Sequence, residues 1–323
     1  MIVIKKHRIA CVIPPYYRLI GSKNNRLTPA MHYVAEVLHN KGHEVCFING
    51  VFADDTVSYA DRISLAENNW LFKRENLPFN PAFEGLFQQI KDFNPQTVII
   101  GAGDVLMPTV ELGSNQICAY VSKNIKSQIG EHVHCIGYGH LLKFLNKEDR
   151  SYLDTVILCE AETIIEKIVE DELKGEFDEV RTTDLDNLPI LTNDYISQDV
   201  KPYDGDYNMS MRGCPHKCNF CFHPCMRHGR ISFQSPERFL RVIRHRLYQI
   251  GTSQFYFADT IFLPNKGNRT NEMLKQLTQL KAEASQFSWW AEARVDLFLS
   301  KEDFLRLKEA GCRHIKFGVE AGN

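Results

Sequence analysis

Cys214-Pro-His-Lys-Cys218-Asn-Phe-Cys221 is the stretch around which the chain is organised, and it follows directly on the segment 209–213. Its three thiols have the spacing C-x3-C-x2-C. Cysteine thiolates are the usual ligands of iron–sulfur clusters, and three of them leave one iron of a cubane without a protein ligand. An open coordination position lets a substrate or cofactor bind the metal directly. The spacing therefore predicts an iron–sulfur cluster with one open iron.

A zinc site is the alternative interpretation of the same cysteines. Its fourth ligand would be Cys225 or a nearby histidine, His216 or His223. Structural zinc sites normally show paired short ligand spacings, such as two C-x2-C pairs. The loop lacks that pairing, which favours the cluster and leaves Cys225 outside it.

The loop resembles that of the radical S-adenosylmethionine (SAM) enzymes, in which an aromatic residue precedes the last cysteine. The resemblance implies a [4Fe-4S] cluster on Cys214, Cys218 and Cys221, with SAM chelated by the open iron. It also implies that Phe220 lies against the adenine of SAM.

Apolar strands alternate with helices in the N-terminal half. This order predicts an α/β fold with a doubly wound, Rossmann-like parallel sheet over residues 1–174, whose ligands bind outside the carboxyl ends of the strands. The predicted strands are 8–13, 43–48, 97–100, 132–136 and 154–158, and the predicted helices are 28–41, 83–93, 110–128 and 162–173.

A domain of this kind before the cysteine loop resembles the cobalamin-binding subgroup of the radical SAM enzymes. The resemblance implies that cobalamin lies across the strand ends. The D-x-H-x-x-G motif is absent, so we expect no histidine as the lower axial ligand of the cobalt. A domain that keeps the fold but does not bind cobalamin is the alternative. The implied cobalamin contacts are Arg26, Gly101, Asp104, Gly137, Gly139, His140, Glu160 and Glu162.

Residues 175–206 are predicted to be a linker, and residues 207–323 a partial radical SAM (β/α) barrel of about four units. By resemblance, SAM would also contact Asp259 at the end of the second barrel strand, Glu292 and Arg294 on the third, and Glu320 after the fourth. A cap or turn role for Asp259, and a plain ion pair for Glu292 and Arg294, are the alternatives. Family members usually continue beyond a fourth unit, so we expect either a truncated chain or a barrel completed by a partner chain or by self-association.

The composition and net charge of the chain argue against a protein that binds nucleic acid or spans a membrane. The chain has 323 residues, of which 44% are hydrophobic and 24% charged, and its net charge is −2. Such a chain has no electrostatic footprint for nucleic acid or an anionic membrane, and no apolar run of membrane-spanning length. We expect a cytoplasmic protein with reduced thiols. The isolated cysteines, predicted to be buried as small hydrophobes, are Cys11, Cys46, Cys118, Cys135 and Cys159.

The resemblance implies a cobalamin-dependent radical SAM methyltransferase. Reductive cleavage of SAM would give a 5′-deoxyadenosyl radical, and a methyl group carried by cobalamin would pass to an unactivated carbon. The implied partners are an external electron donor and a small-molecule or peptide substrate. The alternatives are radical rearrangement or oxidation without methyl transfer, and a non-catalytic module that binds a cluster or cobalamin.

Overall fold

The computed structural model shows two compact units, residues 1–182 with 191–201 and residues 183–190 with 202–323. No helix in its described ranges is both long and apolar enough to cross a membrane. The residues described are 6–15, 28–50, 82–107, 114–192, 194–196, 206–221, 223, 230–262, 267–297 and 299–319.

The first unit contains a six-stranded sheet in which every neighbouring pair is parallel. The strand order is β2-β1-β3-β4-β5-β6, which confirms the predicted α/β class. The order reverses between β1 and β3, and doubly wound sheets bind ligands at such a switch point. The strands are β1 Arg8–Ile13, β2 Glu44–Asn49, β3 Thr97–Gly101, β4 His134–Tyr138, β5 Thr155–Ile157 and β6 Gly175–Phe177.

Helices cover this sheet and bury an apolar core with it. The predicted helix 162–173 is shorter at both ends in the structure, Ile165–Val169, and Asp171 takes a left-handed φ of 69° soon after its last turn. The helices are α1 Pro29–Asn40, α2 Ala82–Phe93, α3 Ser114–Gln128, α4 Lys147–Arg150 and α5 Ile165–Val169, and a 3₁₀ turn spans His140–Phe144.

Two parts of the segment predicted as a linker belong to the first unit. Strand β6 pairs with β5 at the sheet edge. Further on, the buried carboxylate of Glu36 accepts hydrogen bonds from the backbone N–H of Thr192 (2.6 Å) and the hydroxyl of Tyr195 (2.9 Å). The N–H of Phe47 donates to the carbonyl of Tyr195 (3.0 Å). These bonds hold Thr192 and Tyr195 against α1 and β2.

The second unit contains a four-stranded sheet in the order β12-β11-β10-β7, with every pair parallel. The four strands agree with the four predicted barrel units. A short antiparallel pair, β8 with β9, brackets the cysteine loop in sequence and was not predicted. The strands are β7 Asp206–Asn208, β8 Met211–Arg212, β9 Ser232–Phe233, β10 Gln254–Phe257, β11 Ser288–Arg294 and β12 Cys312–Gly318, and the helices are α6 Pro236–His245, α7 Asn268–Glu283 and α8 Lys301–Glu309.

Alternation along β11 separates the two faces of this sheet. Trp289, Ala291 and Ala293 are buried, whereas Glu292 and Arg294 are only half-buried, as the period of two predicts. The buried face packs against the helices, with Trp289 in the aromatic core of the unit. The opposite face carries the polar side chains, and Arg294 lies at the carboxyl end of its strand.

Candidate functional site

The cysteine loop begins at a tight turn immediately after β8. Gly213 has a φ of 90°, a conformation that favours glycine. Cys214 is buried, whereas Cys218 and Cys221 are half-buried. The N–H of Cys221 donates to the carbonyl of Cys218 (3.0 Å), which closes the second part of the loop.

The three thiols are close enough to influence one another's charge. Burial raises the pKa of Cys214, and negative charge on Cys221 and Cys218 would raise it further. No three His, Cys, Asp or Glu side chains converge on a single-ion site in the described part of the chain. A cubane needs no such convergence, because each thiolate binds a different iron. The donor set, three neighbouring thiols on one loop, fits an iron–sulfur cluster.

Arg294 connects β11 to this loop. Its Nη1 donates to Sγ of Cys218 (3.4 Å), and its Nε and Nη2 donate to the two carboxylate oxygens of Asp296 (2.9 and 2.5 Å). The hydrogen bonds to Asp296, and more weakly to Cys218, raise the pKa of Arg294. Glu292 pairs instead with Lys316 on β12 (3.0 Å). Both predicted SAM contacts on β11 are therefore engaged in ion pairs, the alternative left open by the sequence.

Asp259 follows β10 and is buried. Both of its carboxylate oxygens accept hydrogen bonds from the segment that leads into the cysteine loop. Its carboxylate accepts hydrogen bonds from the hydroxyl of Ser210 and the N–H of Met211, both at 2.7 Å. The guanidinium of Arg269 donates to the carbonyl of Ser210 (2.8 Å). These contacts favour a role for Asp259 in positioning residues 210–211; its predicted contact with SAM stays a prediction.

The stability of the second unit should depend on pH through Asp259. Burial raises its pKa from 3.8 to about 7, although the hydrogen bonds from Ser210 and Met211 and the charge of Arg269 oppose the shift. The folded chain then holds this proton more tightly than the unfolded chain. The stabilisation from this group is complete below about pH 4 and is lost as the pH rises towards 7.

Asp259→Asn should flatten that dependence and raise stability at pH 8 by on the order of 1 kcal/mol. An amide can accept from Met211 through its oxygen and donate to the hydroxyl of Ser210. The measurement is urea unfolding of the second unit between pH 4 and 8. An unchanged slope with pH in the variant would contradict the assignment of the proton to Asp259.

The loops after β3 and β4 meet at the carboxyl edge of the first sheet, next to the switch point. The carboxylate of Asp104 accepts from the N–H groups of Ala30 (3.0 Å) and Leu106 (2.6 Å), so it caps helix α1 and shapes its own loop. Nδ1 of His140 donates to the carbonyl oxygen of Asp104 (3.1 Å). Asp104 and His140 thus bind the two loops and α1 together.

The glycines at this edge differ in how much room the structure leaves for a side chain. A Cβ on Gly139, whose φ is 149°, would lie 2.0 Å from the carbonyl oxygen of Ala102. A Cβ on Gly137 would press on the side chains of Leu142 and Leu153. A Cβ on Gly101 would make only ordinary contacts, at 3.5 Å or more. None of the described residues therefore gives Gly101 a steric reason to be glycine.

Two buried carboxylates lie beyond the end of β5. Oε2 of Glu160 accepts from the N–H of Thr182 (3.2 Å), and Oε2 of Glu162 accepts from the hydroxyl of the same threonine (2.9 Å). These bonds fix the chain where it leaves β6. Like Asp104 and His140, both predicted cobalamin contacts have internal hydrogen-bond partners.

The remaining predicted residues divide into two groups. Phe220 is 71% exposed, so its ring is accessible next to Cys221. Arg26 and Glu320, like Cys225 of the zinc alternative, lie outside the described residues. Asp296 was not predicted as a site residue. It lies in the 3₁₀ turn Val295–Leu297 directly after β11, and its nearness in sequence to Arg294 is the signal that could have found it.

The fold of this chain is similar to that of a known protein. No family model matches the chain. An uncharacterized methyltransferase of Pyrococcus horikoshii is 26% identical over 349 aligned positions, which span 99% of this chain and 67% of that protein. A structure of TsrM, a radical SAM methyltransferase from Kitasatospora setae, superposes with a TM-score of 0.66 over 97% of this chain. The chain has the fold of TsrM.

The match to TsrM is one of structure, with 12% sequence identity, and covers 59% of the TsrM chain. That TsrM structure holds its tryptophan substrate and a SAM analogue. A second TsrM structure, with cobalamin and a [4Fe-4S] cluster bound, gives a TM-score of 0.63 at 12% identity, over 98% of this chain and 61% of that one. This chain thus spans about three fifths of the length of TsrM.

Proposed function

We propose that this chain is a radical SAM enzyme that transfers a methyl group. The observation that carries the proposal is the three-thiol loop, which begins immediately after β8 and receives a hydrogen bond from Arg294 at the carboxyl end of β11. Chemistry in parallel β/α barrels is placed at the carboxyl ends of the strands. The fold shared with TsrM supports the same assignment.

Cys214, Cys218 and Cys221 would hold the [4Fe-4S] cluster, which when bound would supply the electron for cleavage of SAM. Phe220 offers an exposed ring on which the adenine can stack. Among the described residues, Asp296 and Cys218 engage three of the five N–H groups of Arg294, and the other two could donate to the carboxylate of SAM. Asp259 holds the start of the loop in place through Ser210 and Met211. The reaction also needs an external electron donor and a small-molecule or peptide substrate.

We further propose that cobalamin, as the methyl carrier, binds at the switch point between β1 and β3. Gly101 supports this site, because a strand glycine that no described neighbour requires often marks a place where a ligand approaches the backbone closely. Gly101→Leu should lower the affinity for hydroxocobalamin at least about tenfold, a cost of 1.4 kcal/mol, and leave SAM cleavage intact. Affinity is measured by the cobalamin retained on the purified chain and by absorbance titration. Unchanged affinity would contradict the site.

Radical chemistry without cobalamin is the second candidate. The observation that favours it is that Asp104, His140, Glu160 and Glu162 are all bound to partners within the first unit. In that case the first unit keeps the fold of a cofactor domain without the cofactor, since fold alone does not determine function.

Anaerobic purification in the presence of cobalamin tests both candidates. The proposal expects about four irons per chain, bound cobalt, 5′-deoxyadenosine formed from SAM and labelled methyl transferred from SAM to a product. Iron and 5′-deoxyadenosine without cobalt or methyl transfer would select the second candidate. Zinc in place of iron would contradict both.

A further inference from the structure

The contact between Arg294 and Cys218 places a cation on one particular cysteine of the loop. Nη1 of Arg294 lies 3.4 Å from Sγ of Cys218 and donates to it. Cys218 is half-buried, and the side chain of Arg294 is 35% exposed. None of the hydrogen bonds of the described residues joins a cationic side chain to the sulfur of Cys214 or Cys221. The contact therefore makes the three sulfurs unequal.

Asp296 fixes the direction of that contact. Its carboxylate engages Nε and Nη2 of Arg294 in a two-pronged pair, and the planar guanidinium then has Nη1 left for the sulfur. The hydrogen bond from Arg294 is also the main cause that lowers the pKa of Asp296. The pair therefore meets the loop at Cys218.

We propose that Arg294, oriented by Asp296, tunes the reduction of the iron–sulfur cluster through an N–H···S hydrogen bond to Cys218. The proposal rests on the proposed function, because it needs the cluster on this loop. An external one-electron donor adds one electron to the cluster, with no bond made or broken. The added negative charge is shared with the thiolate sulfurs, so a cationic N–H donor stabilises the reduced state more than the oxidised one. Arg294 thereby raises the reduction potential.

This role makes Arg294 a positioning and tuning residue towards Cys218, in addition to its predicted contact with SAM. The two roles have different readouts. Loss of a SAM contact changes the affinity for SAM and leaves the potential of the SAM-free cluster unchanged. Loss of the bond to sulfur shifts the potential of the cluster before SAM is added.

Potentiometric titration of the reconstituted full chain without SAM, followed by the electron paramagnetic resonance of the reduced cluster, tests the proposal. Arg294→Gln should lower the ratio of reduced to oxidised cluster at a fixed potential about tenfold, a shift of 59 mV for a one-electron couple. Arg294→Lys, which keeps a cationic donor, should restore part of that ratio. Asp296→Asn should shift the potential in the same direction as Arg294→Gln but less, because the donor stays and only its orientation loosens.

Arg244 supplies a matched control, since it forms a comparable two-pronged pair with Glu283 (2.9 and 2.6 Å) on helices α6 and α7. Arg244→Gln should leave the potential unchanged. An equal shift in this control, or an unchanged potential in an iron-replete Arg294→Gln chain, overturns the proposal. If Arg294→Gln does not retain iron, the potential of the Asp296→Asn chain is the test, and an unchanged potential there overturns the proposal. A wild-type loop without iron overturns the proposed function itself, a result distinct from a normal cluster with an unshifted potential.

Discussion

Replacing Cys218 or Cys221 by alanine is expected to remove the cluster and reduce 5′-deoxyadenosine formation to background. Each thiolate binds its own iron, and no other donor on this loop has the required spacing. The loss should exceed the roughly 10–100-fold effect of disturbing an outer-shell partner of a metal site. Both residues are half-buried, so truncating them to alanine should change the free energy of unfolding little. The measurements are iron per chain after anaerobic reconstitution, and 5′-deoxyadenosine released from SAM.

Cys312→Ala and Cys159→Ala are the matched controls. Burial raises the pKa of Cys312 to about 12 and that of Cys159 to about 11, so both thiols stay protonated and are poor metal ligands at neutral pH. Both variants should keep full iron. If Cys221→Ala retained a cluster that cleaves SAM, the assignment of ligands, and with it the proposed function, would be wrong.

The sequence predicts long elements with a clear period better than short ones. Polar and apolar side chains alternate over residues 288–294, a pattern long enough to predict strand β11, Ser288–Arg294. Ser300 forms a capping box with Asp303, three residues later, a spacing that the sequence itself displays at the start of helix α8. Strands β6, β8 and β9 have two or three residues each, too few to show a period, and they exist only because a partner strand lies beside them.

The same distinction holds for the site. The cysteines were predictable because their spacing lies within one loop, and four of the five isolated cysteines are buried as expected; Cys46 is half-buried. The long-range partners of Asp104 and Asp259 were not predictable, because the N–H of Ala30 and the hydroxyl of Ser210 lie 74 and 49 residues away in the sequence. The role of such a carboxylate depends on which backbone N–H groups the fold brings to it.

Gly139→Ala is expected to destabilise the first unit by about 4 kcal/mol or more, among the largest effects of a single substitution. The new Cβ would lie 2.0 Å from the carbonyl oxygen of Ala102, and the φ of 149° adds backbone strain for any residue with a side chain. The neighbouring backbone cannot move away cheaply, because the N–H of Ala102 donates to the carbonyl of Tyr138 (2.8 Å) and the N–H of Gly139 donates to that of Ile157 (2.9 Å).

Gly101→Ala is the control at the same edge of the sheet. Its Cβ would meet only Met31, Val12 and Pro14 at 3.5 to 3.9 Å, so its free energy of unfolding should change by less than about 1 kcal/mol. Chemical denaturation of both variants measures the difference. Equal stability of the two would show that the loops after β3 and β4 are not locked together at Gly139. The edge proposed to bind cobalamin would then have no rigid frame, since Asp104 and His140 depend on the same contact between loops.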